Sequence, residues 1–581
     1  MNAFDDSLPP FAQRKRLIPT RRILLPAATG VLYNTLSMSF SPKSVLGWLL
    51  GPEPPDAPGH LWPRWLFLRA LGVIYFSVFY SLLFQIQGMV GPEGILPAGR
   101  YLQAVAGHFG LERYWFAPTL LWFSSGSAAL NLLCWAGLAA SVLLIFNFWP
   151  RGANVICWVL FLSFIAVAQD FADFQSDGML LAAGFLCLFF TPSGVRPGLG
   201  EKDPPSRANT FLLLWLWFRI YFESGVVKLA SHDPEWRHLT AMDQYYQNGP
   251  LPTWIGWYAQ QLPHQIQAGL TLFTLVAELG LCWMFFMPRR VRTLCFFILT
   301  PFQIGIILTA NYAFLNYLVL SLGFLLLDDR FLRGVAARIK ERCPWMERLR
   351  ERLAFPGLRR LLPARPAEQR HEPRQSWVRV AVSGFFFAWI FYATAALMLP
   401  LFFSTLPVPA GPIIALNPFR VANQYGLFAV MTRARYEIEF QGTRDGATWK
   451  AYPFRYKPQD PRDPPGIYAP YQPRFEWVLW FASLGPWQQF PWLMRTEELL
   501  LENDPSVLQL FRSNPFPGKP PRVVRAVLWQ YWFTNFKEKR ETGKWWRRKR
   551  LGLYAPALIR EPNGKFAVYQ WPSKPLPPAS P

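Results

Sequence analysis

Residues 211–252 read FLLLWLWFRIYFESGVVKLASHDPEWRHLTAMDQYYQNGPLP. The first half suits a membrane-spanning helix, expected over about 209–230, yet it carries Arg219, Glu223 and Lys228. Ionisable groups in a lipid-spanning segment are costly, so they mark either internal packing or a working site. At i, i+4, Arg219 and Glu223 share one helix face and can pair. Lys228 lies about 140° further round the helix from Glu223, near its expected outer end. It either snorkels to the interface or is desolvated, its amine then able to act as a base or to grip an anion. His232, Asp233, Trp236, Tyr245 and Tyr246 follow within reach of the same surface. An interfacial aromatic belt is the plain alternative for that loop.

The composition places this stretch in a membrane protein. Of 581 residues, 52% are hydrophobic and 17% aromatic, with only 16% charged. The apolar residues fall in blocks near the length that spans a hydrocarbon core. The expected spans are 65–87, 128–148, 153–169, 175–191, 209–230, 266–287, 291–309, 312–327 and 378–402. The fold expected is thus a polytopic α-helical membrane bundle of about 8–9 transmembrane helices, with a β-rich C-terminal exported domain. The basic start, Arg14 to Arg22, leads into no cleavable signal peptide.

The net charge of +23 is largely a topology signal. With the N-terminus in the cytoplasm, Arg151, Arg196, Lys202, Arg207 and Arg289-Arg290 all fall inside. The loop 328–374 also falls inside, with 13 Lys/Arg against 7 Asp/Glu. Asp170, Asp173, Asp233, Glu235 and Asp243 fall outside. The organisation expected is a cytoplasmic segment 1–64, a helical bundle 65–327, a basic cytoplasmic linker 328–377, a last span 378–402 and an exported domain 403–581. Within these, an amphipathic element is expected near Ser44–Leu50, a surface helix at 117–127 and a linker helix over Val335–Leu353.

In the C-terminal region, the alternation over Tyr436–Phe440, a turn at Asp445-Gly446 and the run TWKAYPFRY signal a β-hairpin. Cys134, Cys157, Cys187, Cys282 and Cys295 lie in apolar spans and Cys343 in the linker, so the exported part is not disulfide-stapled. There is no C-x-x-C, G-x-S-x-G, H-E-x-x-H, P-loop or dinucleotide fingerprint, and the six His are scattered. No metal or cofactor is expected. The absence of N-x-[ST] fits a bacterial envelope better than an endoplasmic reticulum. The basic tail Lys537–Arg550, with Trp545 and Trp546, suits lipid headgroups or an acidic partner, not nucleic acid. Asp177, at the outer end of the fourth span, either faces the Lys228 cavity or is a helix N-terminal charge. Arg69 reads as a cytoplasmic-side anchor.

Gly225, Lys228, Leu229, Trp236, Leu239-Thr240-Ala241, Tyr246 and Pro250-Leu251-Pro252 together resemble the lipase maturation factor family. The likeness continues through Asn423, Tyr425-Gly426-Leu427-Phe428, Asp445-Gly446, Tyr456-Lys457-Pro458, Gln472-Pro473-Arg474, Trp477, Trp480 and Trp545-Trp546-Arg547-Arg548. The chain departs from the family's pattern at Ser176, Ala182, Gly249 and Phe475-Glu476, which suggests a distant, bacterial member. The resemblance implies a membrane protein that assists folding and assembly of secreted lipases, in animals within the endoplasmic reticulum. Ser224–Leu229 followed by Trp236 is also similar to a segment of the vitamin K-dependent carboxylase superfamily, where a Lys in this position acts as a base.

Two functions are therefore open. A maturation factor would hold secreted, lipase-like clients on exposed aromatic surface, with Glu223, Trp236, Tyr245, Tyr246, Asp177, Trp477, Trp480, Trp545 and Trp546 as candidate binding residues. Deleting the region after Phe403 would then abolish function, and Lys228→Ala would have little effect. A membrane enzyme with an outward-facing cavity would use Lys228 as base, with Arg219 and His232 nearby. The lipid bilayer is a partner under both readings, and nucleic acid under neither. The membrane expected is a bacterial inner membrane with the C-terminal domain periplasmic, or the endoplasmic reticulum in a eukaryote.

Overall fold

Apolar runs set the helices of the bundle, and the computed structural model describes residues 49–51, 59–172, 174–342, 377–403 and 408–573. In chain order the bundle comprises α1 (Leu61–Leu83), α2 (Ser127–Ile145), α3 (Pro150–Ile165), α4 (Gln175–Phe190), α5 (Arg207–Ala230), the short α6 (Ala241–Asn248), α7 (His264–Leu279), α8 (Arg289–Thr309), α9 (Leu315–Leu322) and α10 (Trp377–Met398). Six helical stretches are long and apolar enough to cross a membrane: α1, α2, α5, α7 with its continuation to Phe286, α8, and Val380–Leu401. The other three expected spans fall on shorter apolar helices, Pro150–Ile165, Gln175–Phe190 and Leu315–Leu326. The surface helix expected at 117–127 is instead a four-residue helix, Arg113–Phe116, and a 3-10 turn, Leu120–Trp122. The linker helix runs over Asp329–Arg342. Its remainder, the element near Ser44, Asp173 and Cys343 lie outside the described residues.

Short polar contacts gather one set of helix ends. Fully buried Arg64 donates to the carbonyls of Phe190, Leu199, Gly200 and Asp203. Arg151 pairs with Asp203 at 2.7 Å, Arg289 bonds Asp328, and Asp329 accepts the Trp62 amide at 2.8 Å. The loops assigned to one side by their Lys/Arg content thus meet in space. The five cysteines expected in spans are free and buried.

The C-terminal region builds an antiparallel sheet of β1 (Arg435–Thr443), β2 (Lys450–Ala451), β3 (Val523–Phe533), β4 (Trp546–Leu553), β5 (Ala557–Arg560) and β6 (Phe566–Gln570). The strand order is β2-β1-β3-β5-β6, with β4 also on β3. The expected hairpin is β1–β2, where Gly446 takes a φ of 79° that a side chain would resist. Asp445 accepts the Ala447 and Thr448 amides and the Thr443 hydroxyl, which holds its carboxyl well below the usual carboxylate range. β1 is buried on both faces: Tyr436, Ile438 and Phe440 enter the apolar core, while Arg435, Glu437 and Glu439 face the other way. Two helices, α11 (Arg474–Ala482) and α12 (Trp492–Leu501), pack on the sheet.

The sheet is fastened directly to the bundle. Arg474 forms a two-pronged pair with Asp177 of α4, both contacts at 2.7 Å, and donates a further bond to Phe171 O. Asn311, just after α8, donates to Leu251 O and Gly466 O and accepts the Tyr468 and Ala469 amides. Gln85 donates to Gln472 O at 2.9 Å.

Breaking a buried ion pair from one side strands the other charge, at a cost of about 3–5 kcal/mol. Arg474→Ala should therefore lower the thermal unfolding midpoint in detergent sharply, and Asp177→Leu with Arg474→Met should recover most of it. A second expectation concerns Glu476, which accepts the amides of Arg455, Tyr456 and Lys457. Burial pushes its carboxyl up to about 7 against those bonds. The folded state then holds a proton that the unfolded state has released above its ordinary pKa of about 4.3. This contribution is complete below that value and is lost as pH rises to about 7, at most roughly 4 kcal/mol. Unfolding midpoints should fall across that window, and Glu476→Gln should flatten the fall.

Candidate functional site at the seam of the fifth helix

The charges of α5 face an irregular piece of the C-terminal region. Residues 423–433 form no strand or helix, so their backbone polar groups need partners from elsewhere. Arg219 bonds Glu223 at 2.6 Å and donates to Asn423 O. The second Glu223 oxygen accepts the Tyr425 amide at 2.6 Å, and the Arg219 guanidinium lies 5.2 Å from the Tyr425 ring centre. Ser224 accepts the Leu427 amide, and Gln175 of α4 accepts the Gly426 amide. Lys228 donates to Leu427 O at 2.9 Å, Trp236 to Phe428 O at 2.9 Å and Ser231 to Ala429 O at 2.6 Å. Asp233 accepts the Met431 amide, and Asn248 donates to Thr432 O. Arg219 lies about 16 Å down the helix axis from Ala230, so the segment enters the bundle deeply.

Lys228 does not sit at an outer mouth. It is 1% exposed and gripped by both oxygens of Glu278, at 2.8 and 2.9 Å. Glu278 lies about 21 Å along α7 from His264, which places the pair well inside the fold. Gly225 permits the approach, since a Cβ there would stand 2.8 Å from Leu279 and 3.0 Å from the Glu278 Cβ. The Trp236 ring completes the enclosure, 5.1 Å from the Lys228 ammonium. His232 does not join this group: it is exposed and bonds Arg237.

The aromatic side chains of the loop after α5 are interior and form no interfacial belt. Trp236, Tyr245 and Tyr246 are buried, with Tyr245 packed against Tyr246, Tyr312 and Phe428. The loop's end is held by Arg435 of β1, which donates to the carbonyls of Gln247, Gly249 and Pro250. Arg435 and Lys457 share the carboxylate of Glu437. Burial draws the Arg435 guanidinium below its ordinary range, against the raising effect of Glu437.

The other expected binding residues scatter. Asp177 faces Arg474, not Lys228. Trp477, Trp480 and Trp546 are 6%, 5% and 0% exposed, so they are core and offer a client nothing. Trp545 is half-buried against Trp257 and the Lys539 ammonium. Arg69 lies 5.6 Å from the Trp65 ring centre. Glu278, Asn311, Arg435 and Arg474 were not anticipated as site residues. Glu278 could have been, because an acid in the apolar run 266–287 calls for a partner by the same reasoning as Lys228. Among the described residues no three His, Cys, Asp or Glu side chains converge as a metal site.

Chemically, the seam is saturated: each cation has an anion, and each carboxylate an amide or a cation. Such an arrangement holds two parts of a chain together. Comparison with known proteins agrees with the geometry of a bundle sewn to its C-terminal domain. The family model described as lipase maturation factor transmembrane domain matches residues 62–334, and that for the lipase maturation factor C-terminal domain matches 421–556. Lipase maturation factor 1 of Bos taurus is 32% identical over 88% of this chain and 92% of its own. Lipase maturation factor 2 of Gallus gallus is 32% identical over 87% and 82%, and lipase maturation factor 1 of Homo sapiens 30% over 90% and 94%. No solved structure matches the chain. The resemblance to the carboxylase superfamily finds no support among these relatives, which are vertebrate proteins, and neither does a bacterial origin. By coverage of both domains and nearly the full length of these relatives, the chain belongs to the lipase maturation factor family.

Proposed function

We propose that the chain is a multi-pass membrane maturation factor that assists secreted lipases, acting by holding them and not by catalysis. The observation that carries this reading is the likeness to proteins named lipase maturation factors across nearly the whole chain. The geometry at Lys228 supports it. An amine held by two carboxylate oxygens and a carbonyl has no free lone pair and no room for a substrate. The sheet domain and the loop 231–252 are proposed to share the exported face, periplasmic or lumenal. The end gathered by Arg64, Arg151 and Arg289 then faces the cytoplasm.

The test is secreted lipase activity per lipase molecule in cells that lack their own maturation factor. The wild-type chain should restore it. Lys228→Ala alone should reduce the chain's abundance, because it leaves Glu278 buried and unpaired. This revises the small effect expected from the sequence. Lys228→Met with Glu278→Leu should recover both abundance and lipase activity. A double variant that is abundant, folded and inactive would overturn the non-catalytic reading in favour of Lys228 chemistry. For orientation, a cysteine placed at exposed Trp571 should react with a membrane-impermeant maleimide from the exported side only.

A further inference from the structure

A cavity of about 240 Å³ opens where the bundle's outer loop meets the sheet domain. Leu251 and Pro252 form one wall, and Pro465, Tyr468 and Trp546 form others. The volume is below that of cofactor and drug-sized sites, so it suits one or two residues of a peptide. Three cations, Arg455, Lys457 and Arg512, line it against a single acid, Asp463.

The cations differ in how far they are engaged. Lys457 is buried, 2.6 Å from Glu437, but that carboxylate also serves Arg435, so two buried cations share one anion. Glu476 lies against the loop backbone at residues 455–457, where it accepts three amides. Arg455 and Arg512 are exposed. Arg455 gives one side-chain bond to Gln509 O at 3.1 Å. Arg512 stands 4.0 Å from Asp463, too far for a hydrogen bond. Each guanidinium carries five donors, so most of them remain for a ligand.

We propose that this cavity binds an extended peptide segment in which a carboxylate side chain stands next to an aromatic one. Arg455 and Arg512 take the carboxylate in charge-assisted, fork-like bonds. The Pro and Tyr walls take the neighbouring ring. Partly folded secreted proteins expose such segments, so the cavity is a contact point for a client. That last step rests on the maturation reading, whereas the binding site itself does not.

The test uses the full chain in a neutral detergent, with a fluorescein-labelled octapeptide containing two Asp-Phe pairs and its Asn-Phe counterpart. Anisotropy should show the Asp peptide bound at least about tenfold more tightly. Arg455→Glu with Arg512→Glu should remove that preference while the unfolding midpoint stays near wild type. The corresponding Lys double variant should retain part of it. Equal binding of the two peptides, or a preference that survives the Glu double variant, would overturn the site. Complete displacement by millimolar inorganic phosphate would overturn the peptide assignment in favour of a phosphate-bearing ligand. A Glu double variant that loses peptide binding yet still restores lipase activity refutes the client step alone. Peptide binding by a wild-type chain that fails to restore lipase activity refutes the maturation reading and leaves the site standing.

Discussion

An irregular backbone that runs along a helical bundle has no strand beside it, so the amides and carbonyls that face the bundle must find side chains. Between Asn423 and Thr432, nine backbone groups do so, and all but two of their partners, Gln175 of α4 and Asn248 of α6, come from α5 and the loop that follows it. Leaving such a group unpaired costs about 1–3 kcal/mol, and more at membrane depth. The unusual content of α5 follows from this requirement. Arg219, Glu223, Ser224 and Lys228 are there because a second chain segment passes along the helix. The segment turns one side to the bundle, with Tyr425 and Met431 buried while Gln424 and Val430 stay exposed.

The same constraint orders the rest of the molecule. A segment held this firmly positions β1, which follows it directly, and β1 carries the Arg435 that closes the loop after α6. The sheet is then pinned at Asp177–Arg474 and at Asn311. Each pin joins a buried charge or amide of the bundle to a loop or helix end of the C-terminal region. The two parts therefore behave as one unit, and relative motion between them would expose several unpaired groups at once. Under the proposed function, such stiffness favours binding, because a preorganised surface loses less entropy when it takes a partner.

Several side chains change meaning once placed. Trp477, Trp480 and Trp546 read as surface aromatics in a polar, Pro-rich sequence, yet each is core. Local pattern could not show this, because the residues that cover them come from distant parts of the chain. Trp477 meets Phe174 and Tyr312, and Trp546 meets Phe533 and lies under Arg435. The surface that remains for a partner is smaller and more charged than the aromatic count suggests, and it includes the Arg455–Arg512 cavity.

What the sequence determined by itself was set by local rules. Apolar length marks the spans, alternation with Asp445-Gly446 marks the β1–β2 hairpin, and i, i+4 spacing marks the Arg219–Glu223 pair. Basic loops mark which helix ends meet. Tertiary structure alone decided what the buried charges are for. Glu278 lies 50 residues from Lys228, Arg474 lies 297 from Asp177, and the Gln247 carbonyl lies 188 from Arg435. No spacing rule reaches so far, because those pairings are fixed by how helices pack and where the connecting segment runs. Lys228 therefore reads as a base when seen along its own helix, and as a fastening once Glu278 and Leu427 stand beside it.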